Sequence, residues 1–404
     1  MRSKLHCLIL LFFCCYTAIC QTPGLSPEAQ ISVITCGPGN ELYTAFGHSA
    51  FRVQDAEMGL DLVYNYGTFD FNAPNFYMNF ARGKPIFTLS RSRFVNFLYT
   101  YQLESRWVKE QILDLDTEEK NRIFLFLEDN YKPENRNYKY DYIKENCSTK
   151  IPEVLSEVLG TSLVFKEDHL NESKSFRELM QSHLLWNSWG SIGIDLGLGA
   201  VIDREASPIE HMFLPDYVLL QMNNTTLEGK PLVDRQRTIL DLNNGQEMHF
   251  FTSSPLFWVL LLCIFTVTIT FIDIRNQTRS RRLDFVLFSM SGALGILIVF
   301  LWFFTDHNAA ALNFNILWAF PVNTVIAFYV LRKEILPAWI PKYVNIVLVL
   351  LIILVILWLA GLQGFHPLAL LIALTLGIRY LFLYFYFKKV YPVWARDIWK
   401  TKRS

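Results

Sequence analysis

Long apolar stretches dominate the last third of the chain and predict a membrane domain. Each stretch after Ser254 is long enough to cross the ~30 Å hydrocarbon core of a bilayer as a helix rising ~1.5 Å per residue. Polar turns separate five of them, which lie at about residues 255–273, 284–304, 309–331, 344–363 and 367–387. The pattern therefore predicts an all-α transmembrane domain of five helices over residues 254–387.

The loops between these stretches orient the predicted helices. Lys and Arg collect in the loops after the first and third stretches and in residues 388–404, whereas the turns "TDHN" and "LQGFHP" contain neither. Positively charged loops stay on the cytoplasmic side of a membrane. We therefore expect residues 388–404 to form a basic cytoplasmic tail and residues 21–253 to lie outside the cytoplasm.

The first residues have the pattern of a secretory signal peptide. Arg2 and Lys4 precede an apolar run of about 15 residues, and Ala18 and Cys20 occupy the small-residue positions of a cleavage site. We expect residues 1–20 to be removed. An uncleaved anchor is the alternative, and it would export the following domain in the same way.

The exported segment contains both periods of regular secondary structure, which predicts an α+β domain. β-Branched and alternating runs predict strands at residues 31–35, 48–53, 61–67 and 86–90. A helical period then predicts helices at residues 105–115, 116–130 and 146–160. Asp116 and Glu119 form a capping box at the start of the second helix, and Gly160 ends the third.

The cysteines allow two interpretations of the exported domain. Of the seven in the chain, only Cys36 and Cys147 lie in this domain. Two cysteines outside the cytoplasm suggest a disulfide, and a disulfide-bonded, non-catalytic membrane scaffold is one interpretation. In the other, Cys147 is a free nucleophile.

Cys147 has the sequence context of an activated thiol. It opens the predicted helix at 146–160, where the positive end of the helix dipole favours the thiolate. A nucleophilic thiol also needs a base, and His48 is a candidate because it opens a predicted strand. On the residues alone, His48 is also compatible with an ordinary hydrogen-bonded histidine on the surface or in the core.

The order of these motifs resembles a known superfamily. "GHSAFRV", followed about a hundred residues later by "NCST", is similar to the circularly permuted papain-like fold of the NlpC/P60 superfamily, in which histidine precedes cysteine. Together with "VYNYGTFDFNAPNFYMNFARGKP", "YKYDYIKENCSTK" and "NFNILWAFPVN", the chain resembles the bacterial Lnb-type family. Membrane-bound members of that family include lipoprotein N-acyltransferases.

The resemblance implies a function. Cys147 would be the nucleophile, His48 its base, and Asn65, on the next strand, the residue that orients His48. An acyl chain would pass from a membrane phospholipid to Cys147 as a thioester, and then to the α-amine at the N-terminal cysteine of a diacylglyceryl lipoprotein. No cofactor is expected, and the protein would lie in the bacterial inner membrane with its thiol domain in the periplasm.

Other polar residues are candidates for supporting roles. The backbone N–H of Cys147 is a natural oxyanion donor, and further oxyanion or supporting contacts are expected from Tyr140, Tyr142 and Asn146. Candidates for contact with lipid substrates are Arg52, Arg82, His307, Asn313 and Asn315, the last three near the outer end of the third apolar stretch. Arg379, deeper in the last stretch, is expected to snorkel toward the cytoplasm.

The sequence disfavours several other classes of function. Lys+Arg and Asp+Glu balance at 37 each, and no basic patch interleaved with aromatic residues indicates a nucleic acid partner. No spacing of His and Cys indicates a metal site. The alternative enzyme is a membrane-anchored thiol hydrolase, either a phospholipase or a cell-wall peptidase, which would share the acyl-enzyme step.

Overall fold

The structure of the protein is a computed structural model that describes residues 24–168, 170, 172–243, 250–332 and 336–401, the last twelve by their backbone alone. Within these ranges the chain forms an α+β N-terminal domain followed by a helical domain. The predicted signal peptide, residues 1–20, lies outside the described residues. So do most side chains of the predicted basic tail.

An antiparallel seven-stranded sheet forms the centre of the N-terminal domain. Its strands are β1 Gln30–Cys36, β2 His48–Asp55, β3 Leu60–Thr68, β4 Ile86–Arg93, β5 Val108–Leu113, β6 Asn137–Lys139 and β10 Val233–Leu240. Their spatial order is β10-β5-β1-β2-β3-β4-β6. A second sheet contains β7 Leu163–Phe165, β8 Thr225–Leu227 and β9 Lys230–Pro231. Strands β1 to β4 are the four predicted from the sequence.

Helices cover both faces of the large sheet. Those of this domain are α1 Phe76–Ala81, α2 Phe94–Leu103, α3 Thr117–Tyr131, α4 Lys150–Leu159, α5 Phe176–Gln181, α6 Trp189–Gly197 and α7 Pro215–Asn223. Helices α3, α4 and α7 bury apolar side chains against one face, and α2 does so against the other. The predicted capping box at Asp116 and Glu119 is present at the start of α3. Gly160, with φ 67°, ends α4 as predicted.

The helix predicted at residues 105–115 is wrong, because this segment contains strand β5. Strand β5 lies between β1 and β10 and is paired with both. Its polar residues Glu110 and Gln111 are buried beside Ile112. Glu110 is paired with Arg52, and Gln111 donates hydrogen bonds to a side chain and a carbonyl of α7, so each residue has polar partners. A central strand covered on both faces loses the alternation from which strands are predicted.

Four helices form the frame of the helical domain. They are α8 Pro255–Asn276, α9 Arg281–Phe303, α11 Trp339–Leu359 and α12 Pro367–Thr401. Within the described residues, these four are long and apolar enough to cross a membrane, α12 through its part Pro367–Lys389. The prediction of five such helices is therefore not confirmed.

The third predicted helix, at 309–331, is replaced by an irregular segment. It contains 3₁₀ turns at Asn308–Ala310 and Phe314–Leu317, followed by the short helix α10 Asn323–Leu331. Pro321 cannot donate a helical hydrogen bond at the break. The segment also packs directly on α9, where a Cβ added to Gly295 would lie 1.8 Å from the carbonyl oxygen of Ala319. This close approach requires glycine at position 295.

The N-terminal domain is docked on loops at one end of the helical bundle. The backbone N–H of Gly199 donates to the carbonyl of Ala309 at 2.8 Å, and that of Asp306 donates to the carbonyl of Arg82 at 2.9 Å. At the other end of the bundle, Arg279 donates to the carbonyl of Val330. The irregular segment therefore still passes from one end of α9 to the other.

Arg379 lies inside the helical bundle, so the expectation that it snorkels is wrong. Its fully buried guanidinium contacts the carboxylates of Asp273 at 2.8 Å and Asp284 at 2.7 Å, and it donates to Thr270 at 3.1 Å. These partners belong to α8 and α9, so one side chain joins three helices. The two buried carboxylates compensate the positive charge of the guanidinium, which would otherwise have to be solvated by water.

This arrangement predicts a large loss of stability for Arg379→Met. The substitution removes the buried cation that pairs with both carboxylates, so Asp273 loses its ion pair and Asp284 keeps only Arg279 at 3.6 Å. Removing one partner of a buried ion pair costs about 3–5 kcal/mol. Thermal unfolding of the purified protein in detergent should shift to a clearly lower temperature. Arg275→Met is the matched control, since Arg275 lies exposed near the end of α8, and it should unfold as the wild type does. Equal unfolding temperatures for both variants would contradict the role given to Arg379.

Candidate active site

Cys147 lies in the turn that leads into α4. The side-chain oxygen of Asn146 accepts hydrogen bonds from the backbone N–H groups of Ser148 at 2.8 Å and Thr149 at 2.9 Å. The N–H of Lys150 then donates to the carbonyl of Asn146 at 3.1 Å, and the helix begins. The thiol is therefore held one turn before the N-terminus of α4, close to the position that the sequence predicts.

His48 is delivered by a sharp bend at the start of β2. Gly47 has φ 82°, and a Cβ at this position would lie 2.7 Å from the carbonyl oxygen of Cys36. Only glycine fits both the dihedral angle and the close approach. The bend places His48 opposite Cys36 in the β1–β2 register, at the end of the strand nearest Cys147.

Asn65 on β3 fixes the orientation of the His48 ring. Its side-chain oxygen lies 2.5 Å from His48 Nε2. An amide oxygen only accepts hydrogen bonds, so Nε2 donates and Nδ1 is the ring nitrogen left for the thiol. The neighbours Tyr64 and Tyr66 are buried in the core on the opposite face of the strand. The structure thus brings together the three predicted residues Cys147, His48 and Asn65.

The pKa values of the thiol and the imidazole indicate a reactive pair. Burial raises the pKa of Cys147, but the charge and hydrogen bond of His48, with smaller contributions from the Ser49 N–H and the Ser148 hydroxyl, lower it to about 7. Burial lowers the pKa of His48, while the charge and hydrogen bond of Cys147 and the bond to Asn65 raise it above its ordinary value. A thiolate–imidazolium pair is therefore accessible near neutral pH.

Gly67 forms part of the wall of the site and was not singled out from the sequence. It has φ 87°, and a Cβ added there would lie 3.4 Å from Cys147 Cβ and 3.9 Å from His48 Cε1. The missing side chain leaves open space beside the thiol. The available signal was a glycine two positions after Asn65 inside a strand pattern, which often marks a close approach of another group.

Of the oxyanion and supporting roles expected of Asn146, its contacts fit the supporting role. Its amide nitrogen donates to the carbonyls of Tyr142 at 2.8 Å and Phe213 at 2.9 Å, and its oxygen caps the turn. All of its hydrogen-bonding capacity therefore holds the Cys147 turn in place.

The backbone N–H of Cys147 and the ring of Tyr140 remain next to the thiol. Within the described ranges, neither the Cys147 N–H nor the Tyr140 hydroxyl has a hydrogen-bond partner. Tyr140 Cε2 lies 3.8 Å from the position of a Cβ on Gly67, and the ring stacks on Phe87. Tyr142 is exposed and packs edge-on against Tyr140. Tyr140 therefore borders the thiol and Tyr142 packs behind it, while the oxyanion or supporting role expected of both stays a prediction.

Arg52 is not available for a lipid phosphate. It is buried, and it forms ion pairs with Asp61 at 2.7 Å and Glu110 at 3.0 Å while covering the ring of Phe94. Arg82 differs, because it is exposed and its guanidinium has no ion-pair or hydrogen-bond partner within the part of the chain that the structure describes. Of the two predicted arginines, only Arg82 is free to meet an anion.

The three predicted residues of the third apolar stretch have different surroundings. Asn313 donates to the carbonyl of Leu196 at 2.8 Å, and Asn315 accepts from the Trp318 indole at 2.9 Å; both are buried. These asparagines join the helical domain to α6 and cannot contact substrate. His307 is partly exposed in the loop beside Gly83, where the two domains meet.

Cys36 and Cys147 are not joined by a disulfide. Both are free thiols, and Cys36 is fully buried. Burial raises the pKa of Cys36 to about 12, against the opposing influence of Arg106. Burial and a raised pKa disfavour reaction of Cys36, and the disulfide on which the scaffold interpretation rests is absent.

The fold and the site define a membrane protein whose α+β domain carries a Cys–His–Asn cluster above a helical bundle. A family model described as the Lnb N-terminal periplasmic domain matches residues 25–182, and one described as the Lnb transmembrane domain matches residues 245–390. The chain belongs to the Lnb-type family, as a membrane protein with a periplasmic N-terminal domain. No curated protein and no solved structure matches it.

The contact between Cys147 and His48 predicts how the rate of Cys147 alkylation depends on pH. Iodoacetamide reacts with the thiolate, so the rate should rise with pH through a midpoint near 7. In His48→Ala the cation that lowers the pKa of Cys147 is absent, and the midpoint should move above pH 8. Both pH profiles can be measured by mass spectrometry of samples quenched at successive times of alkylation.

Cys36→Ser provides the control for this experiment, because Cys36 is buried and should contribute nothing to the alkylation. Its profile should match that of the wild type. An unchanged midpoint in His48→Ala would show that His48 does not act on the thiol.

Proposed function

We propose that this protein is a lipoprotein N-acyltransferase of the bacterial inner membrane. The observation that carries the proposal is the Cys147–His48–Asn65 cluster in a periplasmic domain docked on a membrane bundle. A thiol activated at the membrane surface suits an acyl donor and an acceptor that are both lipids. Membership of the Lnb-type family supports the same activity.

In the first half-reaction, the Cys147 thiolate attacks an ester carbonyl of a membrane phospholipid. The C–S bond forms and the ester C–O bond breaks, which leaves the acyl chain on Cys147 as a thioester. The imidazolium of His48 gives its proton to the leaving alkoxide, and a lysophospholipid departs. Asn65 keeps the His48 ring in the orientation that this proton transfer requires.

In the second half-reaction, the α-amine of a diacylglyceryl lipoprotein attacks the thioester. Neutral His48 takes a proton from the amine, an amide bond forms, and the C–S bond breaks to regenerate the Cys147 thiolate. The thiolate–imidazolium pair is then ready for the next cycle. No metal or organic cofactor is needed for either step.

Each half-reaction passes through an oxyanion that needs hydrogen-bond donors. The backbone N–H of Cys147 is the first candidate, since no described group accepts from it. The Tyr140 hydroxyl is the second, because its ring borders the open space beside Gly67. Tyr140 would donate as a neutral phenol, since burial holds its pKa well above the ordinary value.

The proposed core is a circularly permuted papain-like fold. Three features support this assignment: a histidine at the start of one strand, an orienting asparagine on the adjacent strand, and a cysteine before a helix that packs on the same sheet. The inner membrane is proposed from the predicted signal peptide and the asymmetry of Lys and Arg in the loops.

Transfer to a lipopeptide tests the proposed function. The purified protein would be incubated with phospholipid and a synthetic diacylglyceryl lipopeptide, and products resolved by mass spectrometry. We expect an N-acylated lipopeptide, with a rate at least ~10³-fold lower in Cys147→Ala and in His48→Ala, since the pair acts as a unit. Tyr99→Ser, a change at an exposed residue of α2, should be as active as the wild type.

The acceptor separates the proposal from its enzymatic alternative. Release of free fatty acid at the same rate with and without lipopeptide would identify water as the acceptor. The protein would then be a thiol phospholipase, and the transferase would be rejected.

A further inference from the structure

A continuous surface of aromatic side chains extends from the neighbourhood of Cys147 along helix α1, beside the contact between the two domains. We define it by Phe71, Phe76, Tyr77, Phe80, Tyr140 and Tyr142. Ring centroids are 5.3 Å apart for Phe71–Phe76, 6.2 Å for Phe76–Phe80, 6.2 Å for Phe80–Tyr142 and 5.3 Å for Tyr142–Tyr140. The rings therefore form an unbroken series of contacts.

Much of this surface is open to its surroundings. The relative exposure is 48% for Phe71, 70% for Tyr77, 41% for Phe80 and 45% for Tyr142. Met78, on the same short helix α1, is 60% exposed. Exposed apolar residues that lie singly need no explanation, whereas a contiguous patch marks a surface that binds something apolar.

One end of the aromatic surface reaches the nucleophile. Tyr140 Cε2 and Cys147 Cβ lie 3.8 Å and 3.4 Å from the same point, the position of a Cβ on Gly67. Tyr140 is stacked on Phe87, with ring centroids 4.1 Å apart, so its position is fixed. An apolar chain lying on the surface would therefore end beside the thiol.

The aromatic surface also borders the membrane domain, beside Phe80 and Tyr140. Helix α1 ends at Ala81, and the next residue, Arg82, accepts a hydrogen bond from Asp306 in the loop after α9. A Cβ on Gly83 would lie 2.6 Å from the backbone nitrogen of His307, so the two backbones are in contact. Lys139, next to Tyr140 in sequence, also pairs with Asp306 at 2.8 Å.

We propose that the aromatic surface binds the acyl chain of the phospholipid donor between the bilayer and Cys147. This inference rests on the proposed function and names the part of the protein that selects its donor. The surface borders the membrane domain beside Phe80 and Tyr140, and it reaches the nucleophile at Tyr140. Its exposed rings offer apolar contact area for a single chain.

The charges where the aromatic surface borders the membrane domain favour the phospholipid over the lipoprotein as the occupant. Arg82 is exposed and free, and Lys84 and Lys139 share a single carboxylate, that of Asp306, at 3.8 Å and 2.8 Å. This border is therefore net positive. A phospholipid carries a phosphate that such a border attracts, whereas the diacylglyceryl group of a lipoprotein carries none.

Photochemical cross-linking tests the surface without requiring catalysis. Full-length Cys147→Ala protein in nanodiscs would receive a phospholipid with a diazirine at the end of one acyl chain. After irradiation, peptide mapping should find adducts at residues 71–80 and 140–142. Adducts confined to the membrane helices would overturn the inference. Adducts at these residues with a diazirine lipopeptide, and not with the phospholipid, would also overturn it.

Kinetics of Cys147 acylation provide the second test. Phe80→Ser and Tyr77→Ser should lower acylation by a long-chain phospholipid at least tenfold, while acylation by p-nitrophenyl acetate, which has no long chain, should stay within twofold of the wild type. Tyr99→Ser is the matched control, an exposed tyrosine of α2 at 59% exposure. It should leave both rates unchanged.

The two tests separate failure of this inference from failure of the proposed function. If wild-type protein is acylated by both reagents and the variants keep their phospholipid rate, the inference alone is wrong. If phospholipid does not acylate the wild type, the proposed function is wrong, and the cross-linking pattern decides independently whether the surface binds an acyl chain.

Discussion

The contact between Cys147 and His48 is the interaction on which the rest of the site depends. Burial alone would keep both groups neutral, and it is their mutual charge and hydrogen bond that bring the pKa of the thiol to about 7. The surrounding structure serves this contact. Asn146 holds the turn that presents Cys147, Gly47 allows the bend that presents His48, and Asn65 fixes the ring.

Docking of the periplasmic domain on the membrane bundle holds the Cys147–His48 pair beside that bundle. Backbone hydrogen bonds at Gly199 and Asp306 hold the domain against the loops of the bundle. The buried asparagines of the irregular membrane segment continue that contact toward α6. The aromatic surface borders these loops and reaches the thiol at Tyr140. A soluble hydrolase would have no need of such an arrangement, whereas an enzyme with two lipid substrates would.

The sequence predicted the parts of this protein that local patterns determine. Strands β1 to β4 and the capping box of α3 follow from periodicity and helix-end chemistry, whereas the cluster of Cys147, His48 and Asn65 was implied by the resemblance to a known family. The errors arise where tertiary contacts override local pattern. Strand β5 is buried on both faces, and Pro321 with the close approach to Gly295 breaks a stretch that is apolar enough for a helix. Arg52 and Arg379 are held by carboxylates distant in sequence, which no local pattern reveals.

The most direct test of the account is an intact mass of the purified protein after incubation with phospholipid alone. The account predicts a gain of one acyl chain that hydroxylamine removes and that Cys147→Ala lacks, because only a thioester at Cys147 behaves in this way. An unmodified mass, in protein whose Cys147 still alkylates with iodoacetamide, would show that the thiol is reactive but does not accept an acyl chain. That result would contradict the central claim.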